Sequence, residues 1–370
     1  WRSWKAKGQR MPVAIVLGGE SVMPYAATAP LPPGLSELLL AGYLNRGGIP
    51  LTRAKTVPLW IPANAEIVIE GWVSDQAGRI GWDPREPDAG ELGPGAVFEG
   101  PFGDHTGFYS MPDRYPIVEV TAITHRRDAV FPATIVGLPP QEDYYLGKAT
   151  ERVFLPLLKT LIPDIEDYDL PMFGAFHNCA MIKVEKAYPL QGRRVMHSVW
   201  GAGQMAWTKT VFVVDDDIDV HDTMAVLRAA AERCLPERDV EFVNGPLDIL
   251  DHAAPRLGAG TNIGFDCTKR TAGEEVGGVP VSRRFERGDV SATVAAAMRV
   301  RGVVEAVVPA ACGWMLARVT KSGAGDGRRI ASELAALADA ASPFIIVVDA
   351  SVGLADVDRV FEIAGRQRER

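Results

Sequence analysis

The stretch Lys209-Thr-Val-Phe-Val-Val-Asp215-Asp-Asp217 decides how the middle of this chain folds. Its apolar, β-branched run predicts a buried strand that ends at three aspartates. A second strand is predicted over Cys179-Ala-Met-Ile-Lys-Val-Glu-Lys186. Between these two strands a helix is predicted to begin near Gly192-Arg-Arg, and another helix is predicted over residues 221–234. Strands that alternate with helices indicate an α/β domain.

The chain beyond residue 300 repeats this pattern. Leu316-Ala-Arg-Val-Thr-Lys321, Gly327-Arg-Arg-Ile330 and the strand that ends at Asp349 match the first strand, helix start and second strand in order. The spacing from Lys to Gly is six residues in both copies, and the spacing from the second Arg to Asp is 21 and 20 residues. We expect a duplicated α/β module over 301–370 that repeats residues 171–235. It lacks the acidic triplet of the first copy, so a structural or interface role is expected.

The N-terminal part has a different composition. Three apolar or β-branched runs predict strands, namely residues 11–19, 65–73 and 115–124. Leu35-Ser-Glu-Leu-Leu-Leu-Ala-Gly-Tyr-Leu44 predicts one helix, preceded by a Pro-rich segment at 30–34 and stopped by Gly47-Gly48. Residues 74–97 are acidic and rich in Gly and Pro, which is typical of an exposed segment. The predicted fold class is α+β: a strand-rich, barrel-type domain over 1–145, an α/β domain with a trailing loop over 146–300, and the C-terminal module.

The chemistry of the first domain concentrates in Glu99-Gly-Pro-Phe-Gly-Asp104-His-Thr-Gly-Phe-Tyr109, which we name the acid turn. On a regular strand or helix, Glu99 and Asp104 would point in different directions. Glycine and proline bend the chain, so both carboxylates can reach one pocket. The flanking residues are too apolar for an ordinary exposed loop. Two carboxylates in a partly apolar site repel, so we expect one of them to have a raised pKa and to serve as a general acid. The alternative is a solvated acidic turn.

Composition excludes several classes of protein. The formal net charge is −8 and the sequence contains no basic stripe, which argues against nucleic acid as a partner. No apolar run reaches the length of a membrane span, and the first residues do not resemble a signal peptide. The four cysteines lie far apart without a CxxC pair, which is typical of buried thiols in a cytoplasmic protein. The chain does not begin with Met, and we expect the natural protein to extend further upstream.

Other candidate sites have ordinary structural explanations. Residues 215–217 could bind a divalent metal through carboxylate oxygens, but acids at a strand end also cap the next helix. His177 and His197 are single histidines of the kind that usually pack. Glu37 follows Ser36 at a predicted helix start, which is a capping arrangement that needs no function. No GxGxxG or phosphate-binding loop is present.

Seven blocks in order resemble the UbiD family of prenylated-FMN-dependent decarboxylases. They are residues 11–19, 35–37, 62–71, 99–107, 137–143, 192–195 and 208–217. The resemblance implies a split β-barrel flavin-binding domain next to an α/β domain. It also implies reversible, non-oxidative removal of CO2 from an aromatic, heteroaromatic or α,β-unsaturated acid. A flavin prenyltransferase would supply the cofactor, and a homo-oligomer is expected, with the C-terminal module as a candidate interface.

The resemblance also assigns residues. Within a catalytic Glu-Arg-Glu/Asp trio, Asp104 would donate the proton after CO2 leaves, and Glu99 would pair with the arginine. Glu37 matches a ligand of the metal that anchors the flavin phosphate, which would be manganese or magnesium, with potassium as a further option. Glu37 and His105 are assigned to the cofactor site.

The sequence departs from the family in two places. The arginine and the Asn and His metal ligands belong to an upstream segment that these residues do not contain, so this chain could not form a complete site by itself. Asn262 stands where a lysine is expected, which puts flavin-phosphate contacts from that loop in doubt. Two rival hypotheses stay open: a non-catalytic flavin-binding or assembly subunit, and a carboxylate-pair hydrolase or lyase without a cofactor.

Overall fold

The computed structural model describes residues 1–29, 31, 34–78, 94–286, 288–338 and 342–366. The expected Pro-rich segment at 30–34 and the acidic segment at 74–97 therefore lie in part outside the described residues. The chain divides into two compact units, Trp1–Leu146 (unit 1) and Gly147–Arg370 (unit 2). In the described part of the chain, no helix is both long enough and apolar enough to cross a membrane.

Unit 1 is dominated by antiparallel strands. Its strands are β1 (Met11–Leu17), β2 (Leu51–Arg53), β3 (Trp60–Pro62), β4 (Ile67–Val73), β5 (Ala96–Glu99), β6 (Asp113–Pro116) and β7 (Val118–His125). They form a three-stranded sheet in the order β1-β4-β7 and two separate pairs, β2-β3 and β5-β6. The strands predicted at 11–19, 65–73 and 115–124 are confirmed. The described residues form no closed barrel.

The helices of unit 1 are short. They are α1 (Arg2–Ala6), α2 (Met23–Ala27) and α3 (Glu37–Leu44). The sequence predicted only α3, and the prediction of a single helix was wrong, because α1 and α2 have five residues each and too few turns to show a periodic apolar face. α3 begins as predicted, since the Ser36 hydroxyl accepts a hydrogen bond from the Leu38 N–H at 3.2 Å.

One buried carboxylate joins the sheet of unit 1 to the chain before β3. Glu70 lies in β4 with no exposed surface, and it accepts hydrogen bonds from the Lys55 N–H at 2.8 Å and the Thr56 N–H at 2.6 Å. The Thr56 hydroxyl donates a third bond at 2.8 Å. Burial alone would raise the pKa of Glu70, but these donors outweigh it and hold the pKa below its ordinary value. Glu70 therefore acts as a structural anion.

Helix α4 (Glu142–Leu161) crosses the boundary between the units, since unit 2 starts at Gly147. The rest of unit 2 has an α/β fold. Its first part contains β8 (Ile165–Asp169), β9 (Cys179–Val184), α5 (Gln191–Trp200), β10 (Thr210–Asp215), α6 (Thr223–Arg233), α7 (Pro236–Asp239), β11 (Val240–Pro246) and β12 (Ala259–Asp266). The sheet order is β11-β12-β10-β9-β8, with β10 parallel to β9 and β12 and with antiparallel strands at both edges. The strands and helices predicted between residues 179 and 234 are confirmed.

Alternate residues of the central strands pack into cores on the two opposite faces of this sheet. Val211 and Val213 of β10 pack with α5, whereas Phe212 and Val214 belong to the core that contains α6. Successive strand residues point to opposite faces, so a continuously apolar strand is buried on both sides. This is why the four residues before Asp215, residues 211–214, are all apolar.

The C-terminal part repeats the order of elements. It contains α8 (Val290–Ala297), β13 (Val303–Val307), β14 (Met315–Val319), α9 (Asp326–Ala338), β15 (Ile345–Asp349) and α10 (Val357–Arg366). β13 is antiparallel to β14 and β14 is parallel to β15, as β8 and β10 are to β9. The correspondence extends upstream of residue 171, because β13 matches β8.

The two α/β segments have matching aspartate caps and contribute to one apolar core. Asp222 and Asp356 lie seven residues after Asp215 and Asp349, and each accepts a hydrogen bond at 3.0 Å from the N–H three residues later. The same apolar core contains residues of β9, β10 and α6 together with residues of β14, β15 and α10. The Trp314 indole donates a hydrogen bond to the Leu227 carbonyl at 2.9 Å. The C-terminal module therefore packs against the face of the first α/β sheet that also carries α6.

Candidate active site

The acid turn lies at the tip of the hairpin formed by β5 and β6. β5 ends at Glu99, which lies opposite Asp113 in the strand register. Gly100 follows with φ +97°, a backbone conformation that residues with a side chain rarely adopt. The chain therefore leaves the ladder directly after Glu99.

Backbone hydrogen bonds close the turn around Asp104. The Asp104 N–H donates to the Phe108 carbonyl at 3.0 Å, and the Gly107 N–H donates to the Asp104 carbonyl at 3.1 Å. Below them, the Ser110 N–H donates to the Phe102 carbonyl at 2.7 Å. These bonds fix the backbone of Asp104, so its side chain projects from a defined position.

Two neighbours in the turn hold the Asp104 carboxylate. His105 Nδ1 lies 3.0 Å from Oδ1, and the Thr106 hydroxyl donates to Oδ2 at 3.2 Å. The Asp104 and His105 side chains are only 16% and 15% exposed, and Thr106 is buried. The sequence singled out Asp104 and His105 but missed Thr106, whose only signal was a hydroxyl two residues after an acid.

These contacts lower the pKa of Asp104. Burial by itself would raise it, but the hydrogen bond and positive charge of His105, with the Thr106 hydroxyl, stabilise the carboxylate more strongly. The expectation that one of the two acids has a raised pKa therefore fails at Asp104. It assumed that a second carboxylate would be the nearest charge, whereas the nearest charge is an imidazole.

The structure does not bring Glu99 into contact with Asp104. The Glu99 side chain is exposed, and among the described residues it has no hydrogen-bond or ion-pair partner. The negative charge of Glu99 still affects a neighbour. Burial raises the pKa of Tyr115 most, and the charges of Asp113 and Glu99 raise it further. Glu99 is thus an ionisable group open to a cation.

Large apolar side chains surround the two acids. Around the turn and its hairpin, the exposed ones are Val97, Phe98, Phe102, Tyr109, Tyr115 and Ile117. The Arg114 guanidinium lies 5.5 Å from the Phe98 ring centre. Soluble proteins rarely leave so many large apolar side chains together at the surface unless something binds there.

Glu37, the expected metal ligand, is the first residue of α3 and its side chain is exposed. Within the described residues, no group of three or more His, Cys, Asp or Glu side chains could hold a metal ion. The described residues therefore do not form the implied metal site by themselves, and Glu37 would be one ligand of it. Among the described residues, the alternative of a divalent metal at residues 215–217 is not indicated either.

The carboxylates of Asp215 and Asp217 have protein partners instead. Asp215 Oδ2 accepts the Lys269 N–H at 2.5 Å, and Asp217 receives two hydrogen bonds from Arg233 at 2.9 and 3.1 Å. Burial raises the pKa of Asp215, whereas Arg233 holds the pKa of Asp217 below its ordinary value. These aspartates act as structural connections at the end of β10.

A network of buried charges beside them was not visible in the sequence. Lys186 contacts Glu274 at 2.5 Å, with 5% and 0% of the two side chains exposed. Arg270 contacts Asp266 at 2.6 Å, and both side chains are almost fully buried. Lys186 and Glu274 are 88 residues apart in the sequence. Asp266 and Arg270 are four residues apart but not in a helix, so the usual i,i+4 rule for helices did not identify them.

Two remaining expectations concern unit 2. The four cysteines are free and buried, and burial raises the pKa of Cys179 and Cys234, which disfavours a thiolate nucleophile. Asn262, where a lysine was expected, is buried in β12, and its side-chain oxygen has no hydrogen-bond partner. Asn262 offers no positive charge to a phosphate.

Family models match most of the chain. Residues 1–139 match the 3-octaprenyl-4-hydroxybenzoate carboxy-lyase Rift-related domain, and residues 144–267 match the C-terminal domain of the same carboxy-lyase. The C-terminal module lies beyond both matches.

Relatives match the same region. A protein of Archaeoglobus fulgidus is 44% identical over 264 residues, which are 71% of this chain and 51% of that protein. One from Aquifex aeolicus is 46% identical over 269 residues, 72% of this chain and 52% of that protein. Both are described only as uncharacterized proteins. The chain thus spans about half the length of these relatives.

Solved structures give the same family. The UbiD-class enzyme HmfF from Pelotomaculum thermopropionicum, in complex with FMN, is 27% identical with a TM-score of 0.59 over 76% of this chain and 59% of that one. An evolved dimeric form of HmfF, in complex with prFMN, gives a TM-score of 0.55 with 27% identity over 75% and 57% of the two chains.

Proposed function

The chain belongs to the UbiD family, and from that premise we propose that it carries the proton-donating part of a prenylated-FMN-dependent decarboxylase. The reaction would be reversible, non-oxidative decarboxylation of an aromatic, heteroaromatic or α,β-unsaturated carboxylic acid. The observation that carries the proposal is Asp104, fixed by backbone hydrogen bonds and largely buried at the tip of the acid turn. It lies beside exposed aromatic rings, which suit a planar ligand.

The chemistry explains why such a residue is needed. Loss of CO2 leaves an electron pair on carbon, and the bound flavin supplies the electron sink that amino-acid side chains lack. The protein must bind the acid, exclude water and deliver one proton to that carbon. Asp104 would deliver the proton, and the apolar side chains around the turn would exclude water.

Glu99 would have a different role. It is exposed and has no partner among the described residues, so it can accept an arginine from another segment of the functional protein. That pairing would keep Glu99 ionised and orient the cation toward the substrate carboxylate. Glu37 and His105 would lie at the cofactor, with Glu37 as one ligand of a manganese or magnesium ion whose remaining ligands come from outside this chain. We derive no step through that metal, because one carboxylate does not make a metal site.

Assembly is part of the proposal. A flavin prenyltransferase would supply the cofactor in the cytoplasm, and the functional protein would be a homo-oligomer. Residues 301–370 would be a duplicated copy of the preceding α/β segment. The structure supports this reading because the two copies have the same strand directions and the same aspartate caps.

Isotope exchange tests the proposed activity. The full-length protein, produced with a flavin prenyltransferase, is incubated with candidate acids and ¹³C-bicarbonate, and label in the acid is measured. We expect exchange in the wild type and its loss in Asp104→Asn. Asp128→Asn, the same change at an exposed turn of unit 1, is the matched control and keeps exchange. Holo protein that contains the modified flavin but exchanges CO2 with no acid would refute the proposal.

A second candidate, a flavin-binding subunit without catalysis, is favoured by one observation. The contacts of Asp104 stabilise its ionised form, which is not how a resting proton donor is usually held. Such a subunit would bind flavin and assemble equally well as wild type and as Asp104→Asn, and it would have no activity to lose. The exchange experiment therefore separates the two candidates directly.

A further inference from the structure

The acid turn places a second titratable group directly on the proposed donor. His105 Nδ1 is 3.0 Å from Asp104 Oδ1, and an ionised carboxylate can only accept hydrogen bonds, so Nδ1 carries the proton. The contact is shielded, because both side chains are about five-sixths buried and Thr106 closes the other carboxylate oxygen. The pair therefore holds one proton between two groups.

This arrangement poses a problem for proton donation. The contacts of Asp104 keep its pKa below the ordinary range, so at neutral pH the carboxylate has no proton to give. Water has limited access to the pair. Among the described residues, the nearest side-chain proton available to Asp104 is the one on His105 Nδ1.

We infer that His105 is a positioning residue that loads Asp104 with the proton used in the reaction, an inference that rests on the proposed function. As CO2 leaves, the bond from carbon to the carboxylate breaks and its electron pair stays on carbon. The protonated His105 imidazole passes its Nδ1 proton to the Asp104 carboxylate, and Asp104 gives that proton to the carbon. The neutral imidazole regains a proton from water. The sum is a carboxylate plus one proton giving CO2 and a C–H bond, with no oxidant or reductant.

Other charged groups near the turn do not compete for this role. The titratable groups of the hairpin are Glu99, Asp113, Arg114 and Tyr115, and the turn itself adds Tyr109. Among the described residues, the hydrogen-bond and ion-pair partners of the Asp104 carboxylate lie only at His105 and Thr106. Within the described part of the chain, the proton-loading contact is the one between His105 Nδ1 and Asp104 Oδ1.

Two substitutions distinguish proton loading from mere support. His105→Asn keeps an N–H donor near the position of Nδ1 but cannot carry a transferable proton. Thr106→Val removes the other hydrogen bond to Asp104 and leaves the imidazole in place. His125→Asn, at an exposed histidine of β7, is the matched control and is expected to retain wild-type rates.

The rates are measured as kcat and KM from pH 5 to 9 on holoenzyme. We expect the wild-type kcat to fall as the pH rises, because each turnover takes up one proton through the His105–Asp104 contact. In His105→Asn, kcat falls about 10- to 100-fold with little change in KM, and it recovers only toward acid pH, where Asp104 protonates by itself. Thr106→Val keeps the wild-type alkaline limb. If His105 and Thr106 only held the Asp104 carboxylate in place, His105→Asn and Thr106→Val would show the same dependence of kcat on pH.

A measurement without catalysis complements the rates. The Asp104 carboxyl is followed by ¹³C NMR in full-length protein without substrate. Its pKa is expected below the ordinary Asp range in wild type and closer to that range in His105→Ala. Identical titration in both proteins would overturn the inference, as would His105→Asn with wild-type kcat and an unchanged alkaline limb. If the wild-type holoenzyme turned over no carboxylic acid, both the proposed function and this inference would be refuted.

Discussion

The acid turn at residues 99–109 and the aspartates at 215–217 are both short acidic clusters, but their carboxylates have opposite surroundings. At the end of β10, Asp215 and Asp217 meet a backbone N–H and an arginine, and they connect elements of unit 2. In the acid turn, the partners of the Asp104 carboxylate among the described residues lie in its own turn, and the Glu99 carboxylate has no hydrogen-bond or ion-pair partner there.

The difference shows how a carboxylate becomes available for chemistry. A carboxylate whose partners belong to other elements contributes to stability, and moving it would disturb the fold. A carboxylate whose partners lie within one closed turn can change protonation without disturbing anything else. The two clusters therefore differ in whether the partners of their carboxylates belong to the same turn or to other elements. Substitutions in the acid turn should affect activity, and substitutions in the charged pairs of unit 2 should affect stability.

The largest expected effect is at the acid turn. Asp104→Asn should lower kcat for decarboxylation by about 10²–10⁴-fold, the usual contribution of a positioned general acid. Because the carboxylate's partners are local, the free energy of unfolding should change by less than about 1 kcal/mol. Kinetics and urea unfolding of the same preparation check both values. If Asp104→Asn unfolds easily but its folded fraction is fully active, Asp104 has a structural role and the acid turn is not the site of chemistry.

The buried pair beside the other cluster should show the opposite signature. Glu274→Gln leaves the Lys186 ammonium, which is 5% exposed, without its anionic partner. Removing one member of a buried ion pair costs about 3–5 kcal/mol of stability. Denaturant unfolding measures this loss, and the rate per folded molecule should stay near that of wild type. Glu275→Gln, at the exposed neighbouring position, serves as the control.

Acid should weaken the molecule through carboxylates of lowered pKa. Asp266 and Glu274 have folded-state pKa values below those of the unfolded chain, because burial is outweighed by Arg270 and by Lys186 respectively. The stability they provide is complete above the unfolded-state values of about 4 and is lost as pH falls through the folded-state values. Unfolding free energies measured from pH 6 down to 3 should therefore decrease. A flat profile in that range would contradict the network.

The smallest effect is expected at the exposed end of the second cluster. Asp217→Asn removes the partner of Arg233, but Asp217 is 40% exposed, so solvent screens the pair. Surface ion pairs contribute about 0–1 kcal/mol. Unfolding free energy and kcat should both stay close to wild type. A loss of several kcal/mol would mean that the pair is more important than its exposure indicates.

The sequence predicted the elements whose patterns are local. β10 was recognised from its unbroken apolar run, and α3 from its serine cap. α1 and α2 were missed because five-residue helices have no periodicity to detect, and the barrel was not found as a closed sheet among the described residues. The candidate residues Glu99, Asp104, Glu37 and His105 came from spacing and resemblance, and their roles stay proposals.

By itself, the sequence determined the family, the alternation of strands and helices in unit 2, and the presence of two acids in a bent, apolar turn. These follow from residue order, because hydrophobic periodicity and Gly-Pro chemistry act over a few residues. Only the tertiary structure decided that His105 and Thr106 hold Asp104 as a carboxylate while Glu99 stays exposed and without a partner among the described residues. The physical reason is that a pKa depends on distances of about 3 Å between side chains and on their burial, and residue order does not specify either.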